Sequence, residues 1–295
     1  MIKGRPPFPF ETIALAVAFS PRLEGLIAEI RRLQMTYNAK VVFIHAGKKT
    51  SEKQRLLSGL LNQYGFSDAF SKVFWEQGST TDVITRICKQ EVVDLLVLGA
   101  LQHENLMSYY IGTVSRDVAR KAKCSVLLLI HPSVHATPVS SIIVNGHEHA
   151  KTIHTINTAL YVASHEHSAN IAVVTEVDVP MLALGTAEDS SEEEMSLLKK
   201  RLHEDEQTRY LNFKSSMITT DSPIHFITLS GRSGHSIGKY ARDNKTDLLV
   251  VNSPDHSLSI FDRIFTHDIE YLLSDLPSNL LIVHSRNSST HEESL

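Results

Sequence analysis

The chain has 295 residues, of which 42% are hydrophobic and 21% charged, and its formal net charge is −4. This is the composition of an ordinary globular protein, and it excludes the basic excess with which proteins attract nucleic acid. No apolar run approaches the roughly 18 residues that span a bilayer, and residues 1–10 lack the apolar segment of a signal peptide. With only two cysteines, a disulfide framework is not expected. We therefore expect a cytoplasmic protein that binds neither nucleic acid nor membranes.

Five apolar segments in the first half of the chain predict buried strands, and helical patterns separate them. The first helical pattern, for example, places Leu23, Leu26, Ile30 and Leu33 on one face. The predicted strands are residues 12–19, 40–46, 69–75, 94–99 and 125–130. Three predicted helices begin after residues 20, 52 and 79, and a fourth spans about 113–121. Apolar strands without alternation, separated by helices, indicate a parallel sheet that is covered on both faces.

The second half repeats this order of elements. Its predicted strands are residues 142–146, 170–175, 224–229, 247–252 and 279–283. Residues 73–131 align without a gap on 226–284 at a constant shift of 153 positions, which places Gly78 on Gly231 and Thr113 on Thr266. A duplication of this kind fixes the architecture, and each copy serves as a control for the other. We predict two domains, residues 1–133 and 134–295, joined by a linker at 131–138.

The second half also carries about 23 extra residues between its second and third strands, because the shift rises there from 130 to 153. The run Ser191-Glu192-Glu193-Glu194 resembles a capping box and predicts an inserted helix at about 188–217. This helix either packs on the domain surface or binds a partner protein.

The segment after the fourth strand of the first half is the best candidate for a binding site. In an open parallel sheet, ligands bind beyond the carboxyl ends of the strands. Gly99 stands at such an end, and Gly112-Thr113-Val114-Ser115 opens the next helix. The free N–H groups of a helix's first turn make an anion site, to which the hydroxyls of Thr113 and Ser115 add donors. Ala18 and Ala46, at the ends of the first two strands, would line the same crevice.

These residues resemble the nucleotide-binding motif of the universal stress proteins. The motif of that family is a glycine, two further residues, a second glycine, nine further residues, and then a third glycine followed by Ser or Thr. Here Gly99 matches the first glycine, Gly112 the third and Thr113 the hydroxyl residue. Gln102 stands where the family has the second glycine. The resemblance implies two adenine nucleotide alpha hydrolase-like α/β domains in tandem, each with a five-stranded parallel sheet and helices on both faces. It also implies that the two fifth strands pair antiparallel, and that the protein forms a homodimer.

Two positions depart from the ATP-binding branch of that family. The resemblance implies an aspartate at the end of the first strand, where this chain has Ala18, and Gln102 is bulkier than the expected glycine. The second half departs further, with Asn252 and Phe265 at the glycine positions and with Asp255 and Asp268 near the would-be phosphate site. Negative charge there opposes phosphate binding. We expect any ATP or AMP to bind in the first half alone.

Other candidate residues have ordinary structural alternatives. His147-Glu148-His149 and His165-Glu166-His167 either supply metal ligands or simply carry solvated histidines, and a metal site needs three or four converging ligands. Ser233 has the surroundings of a nucleophile, but it aligns with Thr80 in the turn that we predict to cap a helix. His45 is expected to be a fold residue that lines the crevice.

Three functions follow from these observations. The first is a stress-response module that binds an adenine nucleotide in its first domain and is not an enzyme, because the sequence offers no nucleophile–base pair. The second is an interaction scaffold that acts through the inserted helix on a protein partner not identified by the sequence. The third is weak ATP hydrolysis, which would need a metal-binding carboxylate such as Glu104 or Asp117.

Overall fold

The computed structural model describes most of the chain. The described residues are 7–102, 109–147, 149–177, 204, 208, 211, 213–220, 222–253, 255–256, 263–264 and 267–284. Within them, no helix is both long and apolar enough to cross a membrane.

The first half alternates strands and helices as its sequence predicts. Its elements are β1 (Thr12–Ala16), α1 (Leu23–Tyr37), β2 (Lys40–Ala46), α2 (Ser51–Gln63), β3 (Ser71–Glu76), α3 (Thr80–Gln90), β4 (Leu95–Gly99), β5 (Leu101–Gln102), β6 (Tyr109–Tyr110), α4 (Thr113–Lys121) and β7 (Ser125–Leu129). Strand and helix boundaries lie within three residues of the predicted ones. The two-residue strands β5 and β6 pair with each other outside the main sheet.

The second half has the same order of elements. They are β8 (Ser141–Asn145), α5 (Thr152–Glu166), β9 (Asn170–Val177), β10 (Ile224–Ser230), α6 (His235–Asp243), β11 (Leu248–Asn252), β12 (Asp255–His256), β13 (Arg263–Ile264), α7 (His267–Ser274) and β14 (Asn279–Val283). Most of the predicted insertion at 188–217 lies outside the described residues, and positions 204, 208, 211, 213 and 214 are helical.

Ten strands form one continuous sheet in the order β10-β9-β8-β11-β14-β7-β4-β1-β2-β3. When the five long strands of each half are counted in chain order, both halves have the order 3-2-1-4-5. Within each half these strands run parallel. The halves meet where β14 pairs antiparallel with β7, with Leu281 opposite Leu127. The predicted antiparallel pairing of the two fifth strands is confirmed. The predicted domain boundary at residues 133/134 stays a prediction.

Helices cover both faces of this sheet, as a sheet of buried parallel strands requires. On one face α1, α2 and α5 pack around Ile27, Leu57 and Ile156. On the other face α3, α4, α6 and α7 contribute to a second core that contains Ile87 and Leu272. Each core extends across both halves, so the two halves share their hydrophobic cores.

An aspartate repeated in both halves ties the first strand of each half to the fourth. The Asp94 carboxylate accepts hydrogen bonds from the backbone N–H groups of Glu11 and Thr12, at 2.8 and 2.9 Å. Asp247 accepts from the N–H groups of Ser140 and Ser141, both at 2.9 Å. These N–H groups stand at the start of the first strand of each half, where no neighbouring strand supplies an acceptor. The aspartate carboxylates supply it instead.

Candidate functional site

A crevice opens at the carboxyl ends of the first-half strands. Its volume is about 800 Å³, and it is bounded by the ends of β1, β2 and β4, the start of α3 and the first turn of α4. We call it the first-half crevice. It brings together every residue that the sequence predicts for the binding site: Ala18, Ala46, Gly99, Gly112, Thr113, Val114 and Ser115.

The first turn of α4 presents backbone donors to this crevice. The first helical hydrogen bond here runs from Arg116 N to Gly112 O, at 2.9 Å, so the N–H groups of residues 113–115 precede the helical ladder. Gly112 is the N-cap in an extended conformation, with φ −69° and ψ 162°. A β-carbon at this position would lie 2.6 Å from Leu101 Cδ1. A larger residue here would have to displace the end of the Leu101 side chain, which is 47% exposed.

An aromatic and basic cluster forms another wall of the first-half crevice. His45 Nδ1 lies 2.9 Å from the Val17 carbonyl, which can only accept, so this nitrogen carries the proton. His45 Nε2 then accepts from Lys53 Nζ at 3.5 Å. Phe19 packs edge-on against His45 and stacks near Trp75, with centroids 4.9 and 5.9 Å apart. The prediction that His45 lines the crevice is confirmed. Periodicity gave no signal for Phe19, Lys53 and Trp75, because they come together only through the pairing of β2 with β3.

The charge of the crevice suits an anion. Among its lining residues, all within the described part of the chain, none carries a carboxylate, and the side chains with a full positive charge are Arg22 and Lys53. Lys53 Nζ stands 5.3 Å from the centre of the Phe19 ring. Arg22 donates to the Ile130 carbonyl at 3.3 Å, which anchors its guanidinium beside the linker.

In the described part of the second half, polar side chains bond to one another at the position that corresponds to Gly99. Asn252 aligns with Gly99, and its amide donates to Thr152 Oγ1 at 3.2 Å and accepts from Thr155 Oγ1. Thr155 aligns with Leu26, against which Gly99 packs in the first half. Phe265 and Thr266 lie outside the described residues, as do the side chains of Asp255 and Asp268.

A carboxylate also occupies the start of α6. Glu176, at the end of β9, accepts from the N–H groups of Gly234 and Ile237, both at 2.8 Å, and from Ser233 Oγ at 3.4 Å. The prediction that Ser233 caps this helix is therefore wrong, because the acceptor for the first N–H groups of the helix is a glutamate from a neighbouring strand. In the first half, the predicted turn does begin α3, with Ser79 at the N-cap position, but the Ser79 side chain makes no capping hydrogen bond.

The histidine-rich segments do not converge on a metal-binding cluster among the residues that the structure describes. His165 and His167 are exposed, but Glu166 between them is buried. Its carboxylate pairs with Arg32 of the other half at 2.5 Å, whereas the exposed His165 and His167 agree with the alternative of solvated histidines. Of the carboxylates considered for catalysis, Asp117 pairs with Arg120 at 2.9 Å and Glu104 lies outside the described residues.

The geometry defines a doubly wound α/β protein with an open crevice at the carboxyl ends of its strands, the location at which such sheets bind ligands. Residues 36–129 match the model of the Universal stress protein family. Residues 36–129 therefore carry the pattern of that family, and the resemblance seen in the sequence is confirmed over that part of the first half. No curated protein matches the chain.

Solved structures share the fold over both halves. A functionally unknown protein from Pseudomonas aeruginosa PAO1 is 14% identical, with a TM-score of 0.69, and the match covers 94% of this chain and 93% of the other. A universal stress protein from Archaeoglobus fulgidus DSM 4304 is 10% identical, with a TM-score of 0.64, and the match covers 94% of this chain and 99% of the other. At these identities the similarity shows the α/β fold alone.

Proposed function

We propose that the first-half crevice binds an adenine nucleotide, such as ATP or AMP, and that the chain acts as a binding or regulatory module in a stress response. The observation that carries this proposal is an open cavity of about 800 Å³ set against the first turn of α4. Its volume falls within the range of about 300–1,000 Å³ that is common for small-molecule sites.

Phosphate groups are the part of the ligand that these residues suit best. The N–H groups of residues 113–115 and the positive end of the α4 dipole favour an anion, and the Thr113 and Ser115 hydroxyls are further donors. Lys53 and Arg22 add positive charge to the lining. Ala18 offers no acceptor to a nucleoside, so phosphate contacts supply most of the affinity, and added salt weakens binding.

Calorimetry with ATP and AMP at low salt tests the proposal directly. The Gly112→Phe variant places a ring where even a β-carbon meets Leu101, and we expect it to lose at least tenfold in affinity. Gly59→Ala on the open face of α2 is the matched control and should bind like wild type, because no atom lies within 4 Å of the added methyl group. Wild-type protein that produces no binding heat would contradict the proposal and favour the interaction scaffold.

Trp75 provides a second readout of the same binding event. It is the sole tryptophan of the chain and stacks near Phe19, which lines the crevice. Its fluorescence should change on addition of ATP in wild type and in Gly59→Ala, and not in Gly112→Phe. Phosphate release that depends on Asp117 would favour weak ATP hydrolysis over simple binding. The homodimer, the protein partner and the cytoplasmic location stay predictions.

A further inference from the structure

A second cavity, of about 130 Å³, lies between the two halves. We call it the inter-half cavity. Its walls come from α1, α5, the central strands β4, β7, β11 and β14, and the linker at 133–138, and none of its lining residues lines the first-half crevice. A site here would therefore be separate from the proposed nucleotide site.

The inter-half cavity contains a buried carboxylate that is only partly satisfied. Glu166 is 5% exposed and lines the cavity. Its Oε2 accepts from Arg32 Nη1 at 2.5 Å and from Val139 N at 3.2 Å. Its Oε1 is buried and has no hydrogen-bond partner of normal geometry in the described part of the chain, although the Tyr37 hydroxyl lies close enough to the Glu166 carboxylate for that contact to raise the pKa of Tyr37. A buried carboxylate oxygen without a donor is costly, so it marks a place for a ligand that can donate one.

The charges around Glu166 leave a negative excess. Arg32 serves two carboxylates, because its Nε also donates to Glu29 Oε2 at 3.1 Å, and both glutamates line the cavity. Burial raises the pKa of Glu29, against the opposing effect of Arg32, and the charge of Glu166 adds to the rise. Asp247 lines the same cavity. A cationic ligand would neutralise this excess, whereas an anion would increase it.

Part of the cavity wall is apolar, beside polar residues such as Thr137 and Asn279. Side chains from both halves form its wall, among them Leu33, Leu127, Val162 and Leu281, all buried. An engineered apolar cavity of about 150 Å³ is known to hold benzene, so about 130 Å³ suits a ligand of roughly five heavy atoms. The lining thus combines one unsatisfied acceptor with an apolar patch large enough for a short alkyl chain.

We propose that the inter-half cavity binds a small primary alkylammonium ion. Its ammonium group donates a hydrogen bond to Glu166 Oε1, and its short alkyl chain packs against the leucines of the central strands. The competing occupant is water alone, which would donate to the same oxygen but would leave the apolar wall without a partner.

Calorimetry with isobutylammonium chloride tests this assignment on the full chain. Wild type should bind it, and Glu166→Gln should bind at least tenfold more weakly, because the charge that attracts the ammonium ion is lost. Glu76→Gln is the matched control: it removes a carboxylate from an exposed pair with Arg86 and should bind like wild type. Isobutanol and tetramethylammonium chloride should not bind, since the first lacks the charge and the second lacks a hydrogen-bond donor.

A measurement on wild type alone covers the case in which Glu166→Gln does not fold. Crystals grown with 3-bromopropylammonium should show an anomalous bromine peak in the inter-half cavity. Water as the sole occupant of that cavity, a bromine peak only elsewhere, or equal affinity in Glu166→Gln would each overturn the proposal. The titration should give the same result with ATP at saturation, so its outcome does not depend on the nucleotide proposal.

Discussion

Ala46 and Glu176 occupy equivalent positions at the ends of β2 and β9, yet only Glu176 occupies the start of the following helix. The Glu176 carboxylate accepts two backbone hydrogen bonds at 2.8 Å from the first turn of α6. The methyl group of Ala46 has no acceptor for such hydrogen bonds, and Ala46 lines the first-half crevice. At this position the second half therefore has a carboxylate at the start of the following helix, whereas the first half has a methyl group that lines the crevice.

Removing this carboxylate should destabilise the second half. Glu176→Ala leaves the N–H groups of Gly234 and Ile237 without their acceptor, and we expect a loss of about 1–3 kcal/mol in the free energy of unfolding. Urea denaturation measures it. Glu76→Ala, which breaks a surface pair, should cost less than about 1 kcal/mol. Equal losses in the two variants would show that Glu176 adds no capping energy.

The reverse exchange should close the first-half crevice to nucleotides. Ala46→Glu introduces at β2 the carboxylate that β9 carries, and its negative charge opposes phosphate binding. We expect the affinity for ATP to fall at least tenfold in calorimetry. Leu56→Glu adds the same charge at a residue of α2 that is 51% exposed, and it should leave the affinity within about twofold of wild type. Unchanged binding in Ala46→Glu would place the ligand elsewhere.

Two helical glycines should respond in opposite directions to alanine. At Gly25 on α1 a β-carbon would lie 2.5 Å from the Pro132 carbonyl oxygen, a backbone atom of the linker, whereas at Gly59 nothing lies within 4 Å. Helix propensity favours alanine by about 1 kcal/mol at both sites. We expect Gly59→Ala to raise the free energy of unfolding by about 0.5–1 kcal/mol and Gly25→Ala to lower it by about 1–3 kcal/mol. A stabilised Gly25→Ala would show that the linker moves away at little cost.

The two halves should unfold together, because β7 and β14 join them within one sheet. Leu281 is 2% exposed and faces Leu127 across that pairing, so Leu281→Ala should cost about 2–5 kcal/mol. Trp75 lies in the first half and therefore reports whether that half unfolds together with the second. In Leu281→Ala, the urea midpoint of unfolding followed by Trp75 fluorescence should shift by the same amount as the midpoint followed by circular dichroism. Leu56→Ala, at an exposed site, should change stability by less than about 0.5 kcal/mol. An unshifted Trp75 midpoint in Leu281→Ala would show that the halves unfold independently.

Tyr37 should make the fold sensitive to alkali. Burial, followed by the Glu166 charge, raises the pKa of Tyr37 well above 10. The folded state then holds this proton more tightly than the unfolded state, so its contribution is present below pH 10 and is lost as the pH rises toward the folded pKa. Between pH 8 and 11, the urea midpoint of Tyr37→Phe should therefore fall less than that of wild type. Parallel pH profiles for the two proteins would contradict this.

Most of the fold followed from local patterns in the sequence. Apolar segments and helical spacing located the ten long strands of the sheet, and the repeat gave the same strand order in both halves. The predicted site residues do share one crevice, because the carboxyl ends of parallel strands meet at one edge. Caps were predicted less well: serine is a common N-cap, but at α6 the acceptor is Glu176, which is far from the helix in sequence and near it only through the pairing of β9 with β10.

Residues that act across the two halves had no signal in the sequence. Arg32 and Glu166 look like surface charges on two amphipathic helices, and their pairing depends on how α1 and α5 meet when the central strands join. The cluster of His45, Phe19 and Lys53 likewise forms only after β1 and β2 lie side by side. Spacing along the chain predicts the faces of single elements, whereas these groups depend on tertiary packing.

The antiparallel pairing of β7 with β14 also joins two unequal halves in one chain. A symmetric assembly of identical domains carries two equal sites, whereas the described part of this chain has an open crevice in its first half and a carboxylate at the start of α6 in its second. Ligand saturation should accordingly follow a simple hyperbola with one equivalent bound per polypeptide.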